Sequence, residues 1–318
     1  MTNLFPGFLF FGALVGLGLP ATAQAPTLSL AGTLVATASG VTQQFGPAAL
    51  PPAGATASQV VANAQATSSV VPTVAPPVGT AGLRCTVSGM ALIPSFTQPA
   101  GSFSVSSDVL LTIAPATMGT AVLVVRWQAT AGGGSASVSI DIGDDGSNEW
   151  SEAVSVLRPS ADLTSELGVA VAAGTPVRVR QSTQGTAIFG FVQSQARLDL
   201  TVFPGTSPIT NGASGCLPLT WVRPAAGVTE LRCTPPSGSP TIYVFGFAAH
   251  NSTLPYPPGC LLLVQVATMV PVATVGGIAA FAVPDVVLPP GFAVHAQAIP
   301  VVGPNDVRST GAVVMRGV

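Results

Sequence analysis

The stretch SFSVSSDVLLTI (residues 102–113) alternates apolar and polar side chains along most of its length. Such alternation is typical of a β-strand with one face buried and the other in contact with water. Similar runs recur about every 8–15 positions, separated by segments rich in turn residues. They are LRCTVSGMALI (83–93), AVLVVRWQA (121–129), ASVSIDI (136–142), EWSEAVSVL (149–157), ELGVAVA (166–172), TPVRVRQST (175–183), AIFGFV (187–192) and ARLDLTVF (196–203). The pattern predicts an antiparallel β-sandwich, of jelly-roll or immunoglobulin-like type.

Two such domains are expected, because a turn-rich segment, GTSPITNGAS (205–214), separates two series of strand-like runs. The first domain would span residues 26–204 and the second residues 215–318. Residues 26–82 carry no charge and are either a low-complexity leader or, as we favour, the opening strands of the first domain. Within them, residues 27–39 are expected to form an edge strand, and residues 55–71 a second strand or a short helix.

The composition excludes several classes of protein. Charged residues make up only 7% of the 318 residues, and the hydrophobic content of 48% argues against intrinsic disorder. All ten basic residues are arginine, so lysine-dependent phosphate loops, Schiff bases and Lys–Asn cross-links are absent. A net charge of −2 without a basic cluster argues against a nucleic-acid partner.

The N-terminal residues 1–25 are expected to be a signal peptide. Residues 4–19 form an uncharged apolar run, and the following PATAQA offers small residues for cleavage after Ala23 or Ala25. We therefore predict a protein that is secreted or displayed at the cell surface, with the periplasm as an alternative.

Residues 257–284 run for 28 positions without a charge, which is long enough to span a bilayer. Gln265, Pro271, Gly276 and Gly277 interrupt this run, and its Val, Thr and Ile residues favour strands. We predict two buried strands around the turn PVATVGG and no membrane span after signal cleavage.

The last hundred residues resemble a functionally uncharacterised, secreted all-β module of exported proteins from GC-rich environmental bacteria. The features that carry the resemblance are Gly215-Cys216, TIYVFGFA (241–248), LPYPPGCLLLV (254–264), GFAVHAQAI (291–299) and GAVVMRGV (311–318). The resemblance implies a β-sandwich at or beyond the cell surface. It implies no catalytic residues.

Export makes the four cysteines candidates for disulfide bonds. If the domain boundary lies near residues 205–214, the first domain holds one cysteine and the second holds three. Full oxidation would then require one bridge between the domains. Of the three pairings, we favour Cys216–Cys260 within the second domain and Cys85–Cys233 across the boundary.

The stretch DIGDDGSNEWSE (141–152) has five acidic residues among twelve. It partly matches a calcium loop, whose ligands would be Asp141, Asp145, the carbonyl of Ser147, Glu149 and Glu152. Gly143 departs from the motif, since a side-chain ligand belongs there. The alternative is a β-hairpin turn at Asp145-Gly146, because both residues tolerate positive φ. The two interpretations are compatible, so the expected cofactor is either none or calcium.

Catalytic motifs are not evident. Neither His250 nor His295 belongs to a triad or zinc motif, and the pairs Glu149/Glu152 and Asp162/Glu166 have only the spacing of glycosidase carboxylates. Arg178 and Arg180 share one strand face, which is either simply solvated or able to bind the carboxylates of an acidic glycan. The three tryptophans, Trp127, Trp150 and Trp221, are too few to indicate a sugar-stacking platform, and Trp127 is expected in the core.

We therefore expect a non-catalytic, exported protein with a structural or adhesive role in the cell envelope or extracellular matrix. Its partners would be other envelope or matrix proteins or glycans. The alternative is a calcium-dependent carbohydrate-binding module, and a secreted hydrolase is a third hypothesis.

Overall fold

The computed structural model describes residues 27–73, 76–77, 80–93, 99–113, 120–170, 175–188, 190–204, 208–226, 228–254, 260–284, 288–289, 291–303 and 306–317. This described part of the chain is almost entirely β-structure and divides near residue 203 into two compact units. The predicted all-β fold class is confirmed. The predicted signal peptide, residues 1–25, lies outside the described residues.

In the part of the chain that the structure describes, twelve strands build the N-terminal unit. They are β1 (Leu28–Ala38), β2 (Val41–Ala49), β3 (Ala55–Val61), β4 (Ala64–Pro72), β5 (Ala81–Ile93), β6 (Gly101–Ile113), β7 (Thr120–Gly132), β8 (Ser135–Ile142), β9 (Trp150–Val154), β10 (Ser160–Ala170), β11 (Pro176–Ala187) and β12 (Gly190–Pro204). They form two six-stranded sheets, sheet A in the order β2-β1-β6-β11-β8-β9 and sheet B in the order β10-β7-β12-β5-β4-β3.

Strands β5 to β12 have jelly-roll connectivity. Successive strands alternate between the two sheets except at the β8–β9 hairpin, so that β6-β11-β8-β9 faces β5-β12-β7-β10. Strands β1 and β2 extend sheet A beside β6, and β4 and β3 extend sheet B beside β5. Residues 28–72 thus add two strands to each sheet of the sandwich.

Three details differ from the sequence analysis. Residues 55–71 form the β3–β4 hairpin and no helix. Strand β1 is not the predicted edge strand, because β2, which was not predicted, pairs with its outer side. The two runs predicted at 187–192 and 196–203 belong largely to one 15-residue strand, β12. A polar interval, QSQ (193–195), separates the two runs in sequence, but the alternation continues across it because Ser194 is buried while Gln193 and Gln195 are exposed.

The core of the N-terminal unit lies between the two sheets, where the alternating apolar side chains of both point inward. Trp127 is fully buried, as expected, and Trp150 packs against it edge to face. Gly89 stands at an inward position of β5, and a Cβ there would collide with the ring of Phe103. The glycine in LRCTVSGMALI therefore makes room for an aromatic side chain from the opposite sheet.

The C-terminal unit contains a second set of strands and one 3₁₀ turn, Pro236–Gly238. The strands are β13 (Ile209–Asn211), β14 (Thr220–Ala225), β15 (Val228–Cys233), β16 (Thr241–Gly246), β17 (Ala249–Thr253), β18 (Leu261–Val264), β19 (Thr268–Val272), β20 (Thr274–Val275), β21 (Ile278–Pro284), β22 (Ala293–Gly303), β23 (Asp306–Val307) and β24 (Ala312–Arg316).

Two sheets enclose the main core of this unit. One has the order β13-β24-β22-β16-β19, with β23 paired to β22, and the other has the order β14-β15-β21-β20. The buried hydroxyl of Tyr243 on β16 lies 2.7 Å from the carbonyl oxygen of Ala279 and 3.1 Å from that of Leu231, both on the opposite sheet. The β17–β18 hairpin packs on the other side of β16, where Leu263 and Val264 contact Val244.

The cysteines confirm one predicted bridge and contradict the other. Cys216 and Cys260 form a disulfide bond. The predicted Cys85–Cys233 bridge is wrong, because both thiols are free and each is buried in the core of its own unit. Burial raises the pKa of the Cys85 thiol to about 12 and that of Cys233 to about 11.

Two further segments differ in detail from the predictions. Residues 209–211, expected in a linker, form strand β13 and pair with β24. Residues 257–284 contain four short strands rather than two, and the predicted turn lies at Gly276-Gly277, between the paired residues Val275 and Ile278. No helix in the described part of the chain is long and apolar enough to cross a membrane.

Candidate functional site

The outer face of sheet A carries polar side chains in rows that run across the strands. Because neighbouring strands are in register, each outward residue stands beside the outward residues of the next strands. One row consists of Asp108, Arg180, Ser139 and Ser151, and the next of Ser106, Ser182, Ser137 and Ala153. These two rows line an open hollow of about 750 Å³.

A second hollow of about 550 Å³ occupies the adjoining row of the same face, formed by Thr37, Ser104, Gln184 and Ser135. We call the three rows together the polar trough. Nine of its twelve side chains are hydroxyls or a carboxamide, and neighbouring hydroxyls bond to one another, as Ser137 Oγ does to Ser182 Oγ at 2.9 Å. The trough is therefore mostly a surface of uncharged hydrogen-bonding groups, with Asp108 and Arg180 at one end and the Glu152–Arg158 ion pair lining the first hollow beside β9.

At the charged end, Arg178 is bound by two carboxylates. Its Nε and Nη2 donate to Asp108 at 2.8 and 3.1 Å, and its Nη1 donates to Asp144 at 3.0 Å. These hydrogen bonds raise the pKa of the Arg178 guanidinium above its ordinary value. Bidentate pairing of this kind fixes the orientation of both groups.

Arg180 is held much more loosely. Its Nη1 lies 3.7 Å from Asp141 Oδ2, and its Nη2 lies 4.0 Å from Asp144 Oδ1. Both distances are too long for hydrogen bonds. The side chain is 39% exposed and stands in the trough, so its guanidinium N–H groups face solvent at the charged end.

The acidic stretch 141–152 forms a hairpin, but not the predicted two-residue turn. Residues 143–149 separate β8 from β9, and positive φ occurs at Gly143, Asp144 and Gly146 rather than at Asp145. The buried carboxylate of Asp141 accepts the backbone N–H groups of Asp145, at 3.2 Å, and Gly146, at 3.1 Å. This carboxylate therefore stabilises the conformation of the first half of the loop.

The three other carboxylates predicted as calcium ligands also accept hydrogen bonds from donors of the protein. Asp145 accepts the backbone N–H and the hydroxyl of Ser147, which lowers the pKa of the Asp145 carboxyl. Glu149 accepts the N–H of Ile142 at 2.5 Å. Glu152 lies on β9, outside the loop, and pairs with Arg158 at 2.9 Å.

Among the described residues, no group of three His, Cys, Asp or Glu side chains is arranged to hold a metal ion. The carboxylates of Asp141 and Asp144 are bound by backbone N–H groups and by Arg178 of β11. Calcium binding at this loop stays a prediction.

The remaining candidates from the sequence are on sheet B or in the C-terminal unit. Asp162 is bound by Arg126 and Gln128 on the outer face of sheet B, and these hydrogen bonds lower the pKa of its carboxyl. His250 is exposed on β17. His295 is on β22, where desolvation and the nearby Arg316 lower the pKa of its imidazole.

The sequence analysis singled out Arg178 and Arg180 but missed the serines beside them. The signal was present in SFSVSSDVLLTI, where serines and Asp108 occupy successive outward positions. Which strands lie on either side of these serines depends on the strand order, which the sequence analysis did not predict.

Comparison with known proteins adds little to this description. No protein-family model and no curated protein matches the chain. Among solved structures, the glycoside hydrolase domain of Endo-D from Streptococcus pneumoniae R6 matches with a TM-score of 0.13 and 14% identity, over 68% of this chain and 33% of that one. The adhesin domain of Epf from Streptococcus pyogenes matches with a TM-score of 0.21 and 8% identity, over 76% and 78% of the two chains. Vicilin from hazelnut, Corylus avellana, has a TM-score of 0.14 and 11% identity, over 69% and 81%. Likenesses of this strength carry no functional argument.

Proposed function

We propose that this protein is an exported, non-catalytic component of the cell envelope or extracellular matrix that acts by adhesion or as a structural element. The observation that carries the proposal is the polar trough, an open row of hydroxyl and amide groups on a rigid jelly-roll sheet. Such a surface suits hydrogen-bonded contact with another molecule, because many weak contacts are made on a scaffold that needs no reorganisation.

Two further features support an extracellular site of action. The Cys216–Cys260 disulfide fits an oxidising compartment, in which such bonds persist. The apolar N-terminal run has the composition of a cleaved signal peptide.

The test begins with the full chain produced in a bacterial host that exports proteins. We expect the mature protein outside the cytoplasm, with an N-terminus at Gln24 or Pro26 by sequencing. Beads coated with it should be retained on cell-envelope or matrix preparations, whereas albumin-coated beads should not.

The same preparation is incubated with a panel of polysaccharides and esters, on which we expect no turnover. An uncleaved cytoplasmic protein, or beads that are not retained, would overturn the proposal. Turnover that disappears in an Asp162→Asn variant would replace it with the hydrolase hypothesis.

A further inference from the structure

The chemistry of the polar trough indicates the class of ligand that it would bind. Its serine, threonine and glutamine side chains each both donate and accept hydrogen bonds. A ligand that matches them must also present donors and acceptors along its length. Polyhydroxylated chains do so at every unit, whereas a peptide would leave apolar side chains against a hydrophilic floor.

The dimensions favour an extended ligand over a small one. Along β11 the trough runs from Arg180 to Gln184, which at about 3.3 Å per residue is roughly 13 Å. The second hollow continues to Thr186, which extends the open polar surface to roughly 20 Å. Both hollows are open along the face. A chain lying along β11 would meet Arg180, Ser182 and Gln184 in turn. The hydroxyls of three serines flank it on the β8 side, and Asp108 and two serines flank it on the β6 side.

The charges argue for a neutral ligand. At the charged end, the carboxylates of Asp108, Asp141 and Asp144 outnumber the guanidinium groups of Arg178 and Arg180. An acidic glycan would meet a net negative field there, so the sequence-based suggestion that the two arginines bind its carboxylates is not favoured. The side chains of the middle and far rows carry no charge, and the Glu152–Arg158 ion pair that also lines the first hollow has no net charge.

Arg180 supplies the directional contact. Arg178 is already bound by two carboxylates, whereas the N–H groups of Arg180 lie beyond hydrogen-bond distance of theirs. A guanidinium fork can donate to two adjacent ring hydroxyls at once.

We infer that the polar trough binds a neutral, extended polysaccharide, with the hydroxyl rows as its floor and Arg180 as a donor at one end. This inference rests on the proposed adhesive function and names the ligand class for it. The contacts come from sheet A itself, so binding does not require calcium.

The experiment is native affinity electrophoresis of the mature chain through gels containing soluble β-glucan, mannan or galactan, with polygalacturonate as the acidic comparison. We expect retardation by at least one neutral polymer and none by polygalacturonate. Ser182→Leu, at the centre of the trough, should abolish the retardation by filling the floor and removing a hydroxyl.

The matched control is Ser58→Leu on sheet B. Ser58 is also exposed and also pairs with a hydroxyl on the next strand, Thr67, at 3.0 Å. The Ser58→Leu variant should be retarded as strongly as the unaltered protein. The Arg180→Gln variant should bind about tenfold more weakly, since this substitution removes charged donors.

Several outcomes would overturn the inference: retardation by none of the neutral polymers, stronger retardation by polygalacturonate, or equal retardation of the Ser182→Leu variant. Loss of binding in EDTA would also overturn it, in favour of a ligand held at the 141–152 loop. Beads that adhere to envelope preparations equally well with and without Ser182→Leu would leave the adhesive function standing and refute only the trough as its site.

Discussion

The Gln297→Leu substitution should weaken the attachment of the β17–β18 hairpin to strand β22 of the C-terminal unit. Gln297 is fully buried on β22, and its side chain serves the backbone of β18. Its Oε1 accepts the N–H of Leu263 at 2.9 Å, and its Nε2 donates to the carbonyl oxygens of Leu261, at 2.8 Å, and Thr310, at 2.7 Å. Strand β18 pairs with β17 but has no partner among the described strands on its other edge. The side-chain amide of Gln297 therefore takes the place of backbone hydrogen bonds there.

The magnitude follows from these three bonds. Each lost bond costs about 1 kcal/mol where water can replace the partner, and roughly 2 kcal/mol where the backbone group stays buried without one. Leucine has a similar volume and fills the space, so the cavity contribution is small. We expect the free energy of unfolding to fall by about 3–6 kcal/mol, a large part of the 5–15 kcal/mol typical of a domain.

The assay is urea unfolding combined with hydrogen exchange by mass spectrometry on peptides covering β18. Gln265→Leu is the control, because this glutamine is exposed in the same unit. It should change stability by no more than about 0.5 kcal/mol. In Gln297→Leu, exchange at Leu263 should accelerate by about a hundredfold or more, since each 1.4 kcal/mol is roughly tenfold. Unchanged exchange in this variant would refute the role of Gln297.

Three other measurements follow from the structure. Replacing Cys216 and Cys260 by alanine should lower stability by about 4 kcal/mol in the chain-entropy model for their separation of 44 residues, measured by urea unfolding under non-reducing conditions; an unchanged midpoint would contradict it. A thiol reagent at pH 8 should label no cysteine of the native protein and two cysteines after denaturation. Cys85 and Cys233 are buried, and their raised pKa values keep both thiols protonated. Rapid labelling of the native protein would show that one of these thiols is accessible. Asp141→Ala should destabilise the N-terminal unit by about 2–4 kcal/mol with or without calcium, since it removes two charge-assisted hydrogen bonds; a loss of stability confined to calcium-containing buffer would instead support the metal loop.

Strand positions could be predicted because alternation is a local signal. It gave β5, β6 and β8 nearly to the residue, since each has one face in the core and one in solvent. The same signal also bears on the cysteines. Cys85 alternates with Leu83 and Val87, all of them inward. The predicted Cys85–Cys233 bridge was wrong because it assumed that all four cysteines of an exported protein are oxidised, whereas the alternation already indicated that Cys85 points into the core.

The acidic loop shows what a local pattern cannot supply. A calcium-loop motif places carboxylates along the chain, but it does not say which donors reach them. Here Arg178 reaches Asp144 because β11 lies beside β8 in the jelly-roll order, although 34 residues separate the two in sequence. The sequence pattern therefore predicts a cation near these acids, and only the strand order shows that Arg178 binds one of them, Asp144.

The trough and the charged end are consequences of one register. The pairing that places Ser182 between Ser106 and Ser137 also places Arg180 between Asp108 and Ser139. A slip of β11 by one residue would turn Val179 and Gln181 outward and bury both arginines. The apolar side chains of Val177 and Val179 in the core hold β11 against that slip, so the packing of the inner face determines the polar pattern of the outer one.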